Sequence, residues 1–92
     1  MNSQNNKKRN QIVESLELPK DILLGLPLLS FTGNLELAVE NHRGLLVYNS
    51  NEISIRTKSM RINMTGKNLS VYEYGKDLLV IRGRIDHIWF VT

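Results

Sequence analysis

The residues of this chain best equipped for chemistry fall in two short stretches and one scattered set. Glu40, Asn41, His42 and Arg43 are consecutive and run into Gly44. An imidazole next to a guanidinium could grip a carboxylate or phosphate on a partner, because charge-assisted hydrogen bonds from such groups match both anions. The same residues also have a plainer use. Asn41 and Gly44 tolerate left-handed backbone and can reverse the chain, while Glu40, His42 and Arg43 pair with near neighbours. These four are the candidate partner-contact residues. The second stretch, Asp86-His87, invites a metal-ligand or general-base reading, against which stands an irregularity at a sheet edge. With no cysteine in the chain, and with neither histidine near a serine at a catalytic spacing, no nucleophile, base and acid set forms. The expectation is a protein that is not an enzyme, with no catalytic, metal or cofactor-binding residues.

The scattered set is Tyr48, Tyr72, Tyr74 and Trp89, interleaved with Arg56, Arg61, Arg82 and Arg84. On one strand face these would suit single-stranded nucleic acid, where bases stack on aromatic rings and cations track the backbone. Glu36, Glu40, Glu52 and Glu73 dilute any such track. Solvated outer faces are the competing explanation, and nucleic acid is not the expected partner.

Positioning these side chains falls to strands. From Leu28 onward, short apolar alternations with period two are bounded by turn residues, which is an all-β pattern. Leu29 and Phe31 alternate with Ser30 and Thr32. Leu35, Leu37 and Val39 follow, and with Leu45 to Tyr48 they suggest a β-hairpin turning at Asn41 to Gly44. Further strands run through Ile53 and Ile55, through Met60, Ile62 and Met64, and through Leu69 and Val71. A last arm spans Leu78 to Val91 and breaks its alternation near Asp86 and His87, where a bulge is expected. Glycine recurs between apolar residues at Gly33, Gly66 and Gly83. Glycine inside a strand weakens it, so the recurrence predicts corners where strands bend or change sheets. The expected fold is mainly β, a small antiparallel roll or sandwich of about seven or eight short strands. A short β-solenoid is the alternative, disfavoured by the unequal spacing of the glycines.

Ahead of the strands, residues 1–9 are polar and expected to form a disordered tail. Residues 10–26 are expected to be helical, with Asn10 as cap, Ile12, Val13 and Leu16 on one face, and Pro19 interrupting. Residues 28–92 form the β domain in this scheme. The 10–26 segment could pack over the β core or, behind Lys7, Lys8 and Arg9, lie on a membrane surface or partner. At 92 residues and a formal charge of +3, the chain makes one small domain, for which oligomerisation is a common remedy. The apolar run Ile22 to Leu29 is broken by Gly25 and Pro27 and falls short of the roughly 18 residues of a membrane span. Neither a transmembrane segment nor a signal peptide is expected.

Leu16-Glu17-Leu18-Pro19-Lys20-Asp21, the Gly33-Asn34-Leu35 corner, Glu40-Asn41-His42-Arg43-Gly44 and Ile81-Arg82-Gly83-Arg84-Ile85 together resemble the YabP/YqfC family of sporulation proteins. The similarity runs from about Leu16 to the C-terminus and is nearer the YqfC-like branch. It implies a small protein made in the mother cell of an endospore-forming bacterium and needed for the spore envelope, cortex or coat. Members are typically encoded beside a membrane protein, which implies that protein, or further copies of the chain, as partner. The implied location is the mother-cell cytoplasm, peripheral to the membrane around the forespore. The family has no established catalytic residues to carry over.

Overall fold

The computed structural model of the protein describes residues 25–92. Six strands are present: β1 (Leu28–Thr32), β2 (Glu36–Glu40), β3 (His42–Tyr48), β4 (Glu52–Thr57), β5 (Arg61–Tyr74) and β6 (Leu78–Val91). They form one sheet in the order β1-β2-β6-β5-β4-β3, and every neighbouring pair is antiparallel. The mainly β expectation stands, while a solenoid is inconsistent with this pairing. The strand count is lower than expected because Ile62 and Met64 fall on one continuous strand with Leu69 and Val71, as do the two parts of the last arm. β5 and β6 are each 14 residues long. The helix expected over residues 10–26 and the tail over 1–9 lie almost wholly outside the described residues.

The long β5–β6 pair is what doubles the sheet over. The first half of β6 pairs with β2 and the first half of β5 pairs with β4. Each long strand therefore belongs to both halves of the fold. Leu37 and Val39 on β2 and Leu79 and Ile81 on β6 are fully buried, as are Ile53 and Ile55 on β4 and Ile62 and Met64 on β5. They join one cluster, so the inward faces of the two halves enclose a single core. Removing each such side chain from water contributes about 1.5–3 kcal/mol.

The bend is built at Gly66 and Gly83. A Cβ on Gly66 would stand 1.9 Å from the Arg84 carbonyl oxygen, and one on Gly83, where φ is +135°, would stand 2.5 Å from the Asn68 carbonyl oxygen. Only glycine lets the two backbones approach so closely. Pairing steps from Thr65↔His87 to Gly66↔Ile85, which leaves Asp86 as an extra residue: the expected bulge. A second step, from Lys67↔Arg84 to Ser70↔Arg82, places an extra residue in β5 beside Asn68, whose φ is 55°. Two turns then brace the corners. Gly83 N–H donates to the Leu35 carbonyl and Ile85 N–H to that of Asn34, while Gly66 N–H donates to Asn51 and Leu69 N–H to Ser50.

The hairpin expected over Leu35–Asn49 does not form. β2 pairs with β1 and β6, and β3 pairs with β4. The chain instead crosses from one half of the fold to the other at Asn41, whose φ is 65°. The residues that suggested a hairpin turn make a crossover, since left-handed backbone serves either purpose.

The corner geometry sets a rank order for glycine substitution. Gly66→Ala and Gly83→Ala should each cost about 2–4 kcal/mol, because backbone must move. Gly33→Ala, with nothing within 4 Å of its Cβ, should cost about 1 kcal/mol for its positive φ alone. Urea unfolding midpoints will give the order, and a Gly33→Ala loss equal to the other two would refute it.

Candidate functional site

Doubling the sheet at mid-strand returns both ends of β5 to one end of the molecule. Three chain reversals meet there. One is the β4–β5 loop, where Met60 N–H donates to Thr57 Oγ1 at 3.0 Å and Thr57 Oγ1 donates to the Met60 carbonyl at 2.7 Å. This leaves Lys58 and Ser59 at its tip. The second is the β5–β6 loop, closed by Gly75 N–H donating to the Leu78 carbonyl at 2.7 Å and carrying Lys76 and Asp77. The third is the Asn41 crossover. Its backbone N–H donates to the Asp77 carbonyl at 2.9 Å, and its Nδ2 donates to the Leu26 carbonyl at 2.9 Å.

His42 locks these pieces together. Its side chain is buried, and Gly44 N–H donates to Nδ1 at 3.1 Å. An acceptor at Nδ1 puts the proton on Nε2, which donates to the Gly75 carbonyl at 2.7 Å. Both ring nitrogens are thus used by backbone, and the arrangement is that of a neutral imidazole. Tyr74 packs edge-on against the ring with centroids 5.3 Å apart. Between the three reversals lies a cavity of about 510 Å³ whose walls include Arg43, Lys58, Lys76, Asp77 and Tyr74.

Of the four sequence candidates, Glu40 and Arg43 are exposed, Asn41 is half-buried and His42 is buried. Arg43, Asn41 and His42 line the cavity; Glu40 does not. Lys58, Lys76 and Asp77 were missed as site residues, although the sequence marks each as a turn position. Their convergence depends on the corner at Gly66 and Gly83, which local patterning does not place in space.

Asp86 and His87 make no joint site. Asp86 accepts from Arg84 Nε at 2.9 Å and from Nη2 at 3.2 Å, and His87 Nδ1 meets only Thr65 Oγ1 at 3.5 Å. Among the described residues no group of three or more His, Cys, Asp or Glu side chains is placed to hold a metal. The aromatic and basic set is divided as well. Arg82 pairs with Glu36 at 2.9 Å and covers the Tyr72 ring, its guanidinium carbon 3.3 Å from the centroid. Trp89, beside Asn63 in the register, points outward from the other half of the fold. Tyr48 hydroxyl accepts from Val71 N–H at 3.1 Å, and Tyr74 is turned to His42. No continuous stacking face results.

The described part is thus an antiparallel β domain, doubled on one core, with a cationic cavity at the end where its loops converge. The model of the YabP family matches residues 27–92. The chain is also 30% identical over 91 residues to the Uncharacterized protein YqfC of Bacillus subtilis (strain 168), covering 99% of this chain and 98% of that one. It belongs to the YabP family and is YqfC-like. No solved structure matches it. No helix among the described residues is long and apolar enough to cross a membrane.

His42→Ala should cost about 2–3 kcal/mol, since it empties a buried position and leaves the Gly75 carbonyl and Gly44 N–H without their partner. Arg43→Ala should stay within about 0.5 kcal/mol. Thermal unfolding of the two variants decides this, and equal stabilities would be the contrary result. The Arg84 hydrogen bonds hold the Asp86 carboxyl below the ordinary aspartate range. A depressed carboxyl adds stability that is present above its unfolded pKa and lost as pH falls through its folded one. NMR titration should find Asp86 protonating at lower pH than an ordinary aspartate, and Arg84→Ala should return it toward the usual value.

Proposed function

We propose that this protein is a non-enzymatic sporulation protein of the mother cell that helps assemble the spore envelope, cortex or coat. In this reading it works from the cytoplasm at the membrane around the forespore, by binding the membrane protein encoded beside its gene or copies of itself. The family membership supports the biological setting. One structural observation favours assembly by contact: among the described residues, nothing covers one side of the doubled sheet. Phe31 shares a face with buried Leu37, and Phe90 with buried Ile62, yet both phenylalanines are about half exposed, at 50% and 53%. Between β1 and the end of β6 lies an apolar cleft of about 400 Å³ walled by Leu26, Pro27, Leu29, Met60 and Phe90. Apolar surface beside strand edges suits protein contact, because both backbone pairing and burial are available there.

The turn at Glu40–Arg43 is the proposed second contact, and its reachable side chains are Glu40 and Arg43. A strand-face nucleic-acid module is the weaker reading, since Arg82 already occupies the Tyr72 ring face.

Purified protein should self-associate with rising concentration or co-purify with the membrane protein encoded beside its gene. The pair Phe31→Ser and Phe90→Ser should weaken that association by tenfold or more, about 1.4 kcal/mol or above, while the domain still folds. Light scattering after size exclusion, and co-purification from sporulating cells, are the measurements. A strict monomer with no affinity for that membrane protein would sink the proposal.

A further inference from the structure

We propose that the cavity at the loop end is a receptor for a phosphomonoester group. Three cations reach it from three different reversals: Arg43 from the crossover, Lys58 from the β4–β5 loop and Lys76 from the β5–β6 loop. Among the described residues, Asp77 is the one carboxylate in its wall. The ion pairs among the described residues are Arg82–Glu36 and Arg84–Asp86, so no described carboxylate neutralises any of the three. Three cations from separate loops line one volume, where a single bound anion is attracted to all of them.

The number of the cations, and the separate loops that carry them, decide the kind of anion. A carboxylate is satisfied by the planar fork of one arginine. A phosphomonoester carries about −1.5 to −2 charges near neutral pH and three acceptor oxygens, which matches one guanidinium and two ammonium groups approaching from separate sides. Tyr74 also lines the wall, with its hydroxyl 3.4 Å from where a Cβ on Gly44 would stand. The floor is fixed beforehand: His42 ties Gly44 to Gly75 through both its ring nitrogens, and Asn41 N–H ties the crossover to Asp77. Less ordering is then left for the ligand to impose. A volume of about 510 Å³ exceeds one phosphate and leaves room for the group that bears it. That group is either a soluble phosphate ester or the head of a lipid such as phosphatidic acid.

This proposal goes beyond the assembly reading. It shares Arg43 with that reading's second contact, but its test alters only Lys58 and Lys76 while the assembly test alters Phe31 and Phe90, so the two fail separately. The test is an amide NMR titration with inorganic phosphate at constant ionic strength, with chloride as control. A parallel arm co-sediments the full chain with phosphatidylcholine vesicles containing phosphatidic acid, or containing phosphatidylglycerol at equal surface charge. The variant is Lys58→Gln with Lys76→Gln; both lysines are exposed, and unchanged core resonances will show that the fold is intact. Saturable shifts at Gly44, Lys76 and Asp77, weakened about tenfold or more in the variant as expected for losing two charge-assisted contacts, support the site. Phosphatidic acid vesicles retained in preference to phosphatidylglycerol, again only by the unmodified chain, assign it to a lipid head; response to free phosphate alone assigns it to a soluble ester. Shifts that chloride reproduces, or binding the variant retains, overturn the proposal. So does a tighter response to tetraglutamate than to phosphate, which would give the cavity to an acidic peptide.

Discussion

Everything in this fold depends on two backbones touching where no side chain fits. At Gly66 and Gly83 the long β5 and β6 strands approach each other more closely than a Cβ permits, and each strand carries an extra residue next to the contact. Bulges raise local twist and bend a strand; two of them, one on each member of a pair, turn the pair as a unit. The four amides near the bend donate to carbonyls of two turns, Asn34–Leu35 and Ser50–Asn51. The corner is therefore braced from both sides, and buried N–H groups that a bend would orphan find partners. One sheet then does what two sheets do in a sandwich, with a core but with fewer connections.

A sheet doubled this way has two open sides, and this one treats them differently. On the β3 side, tyrosines bridge the gap: Tyr48 hydroxyl accepts from Val71 N–H and Tyr74 packs on His42. Side chains there replace the ladder that backbone would have made. On the β1 side nothing comparable stands among the described residues, and Phe31 and Phe90 face the core direction while remaining half exposed. Two chemically distinct surfaces result, one apolar along the open side and one cationic at the loop end. Both are consequences of the same bend.

Much of this was legible in the residues. Period-two alternation gave the strands, because half-buried strands must show it, and the broken alternation at Ile85 and Ile88 located the Asp86 bulge. The glycines at 66 and 83 announced corners for a sound reason, since glycine in a strand needs a compensating use. Two errors share one origin. Counting seven or eight strands treated each corner as an end, and joining β2 to β3 as a hairpin treated nearness in sequence as nearness in the sheet. Left-handed Asn41 permits a hairpin turn and a crossover equally, and which occurs depends on β6 arriving to pair with β2 from 38 or more residues away. The cationic cavity was illegible for the same reason: Arg43, Lys58 and Lys76 are each ordinary turn residues until the corner gathers them.

The role of His42 changes once its surroundings are known. In the sequence it stood beside Arg43 as half of a pair that could grip an anion. In the structure its ring bonds two backbone segments, Gly44 through Nδ1 and Gly75 through Nε2, and so holds the crossover against the β5–β6 loop. Such a bond in a poorly hydrated setting is costly to leave half made, which ties the imidazole to position rather than to ligand. The charge beside it is then the part free to act outward. A buried histidine beside an exposed guanidinium divides the labour: one residue fixes the geometry of the loop end, and its neighbour presents that geometry to whatever binds.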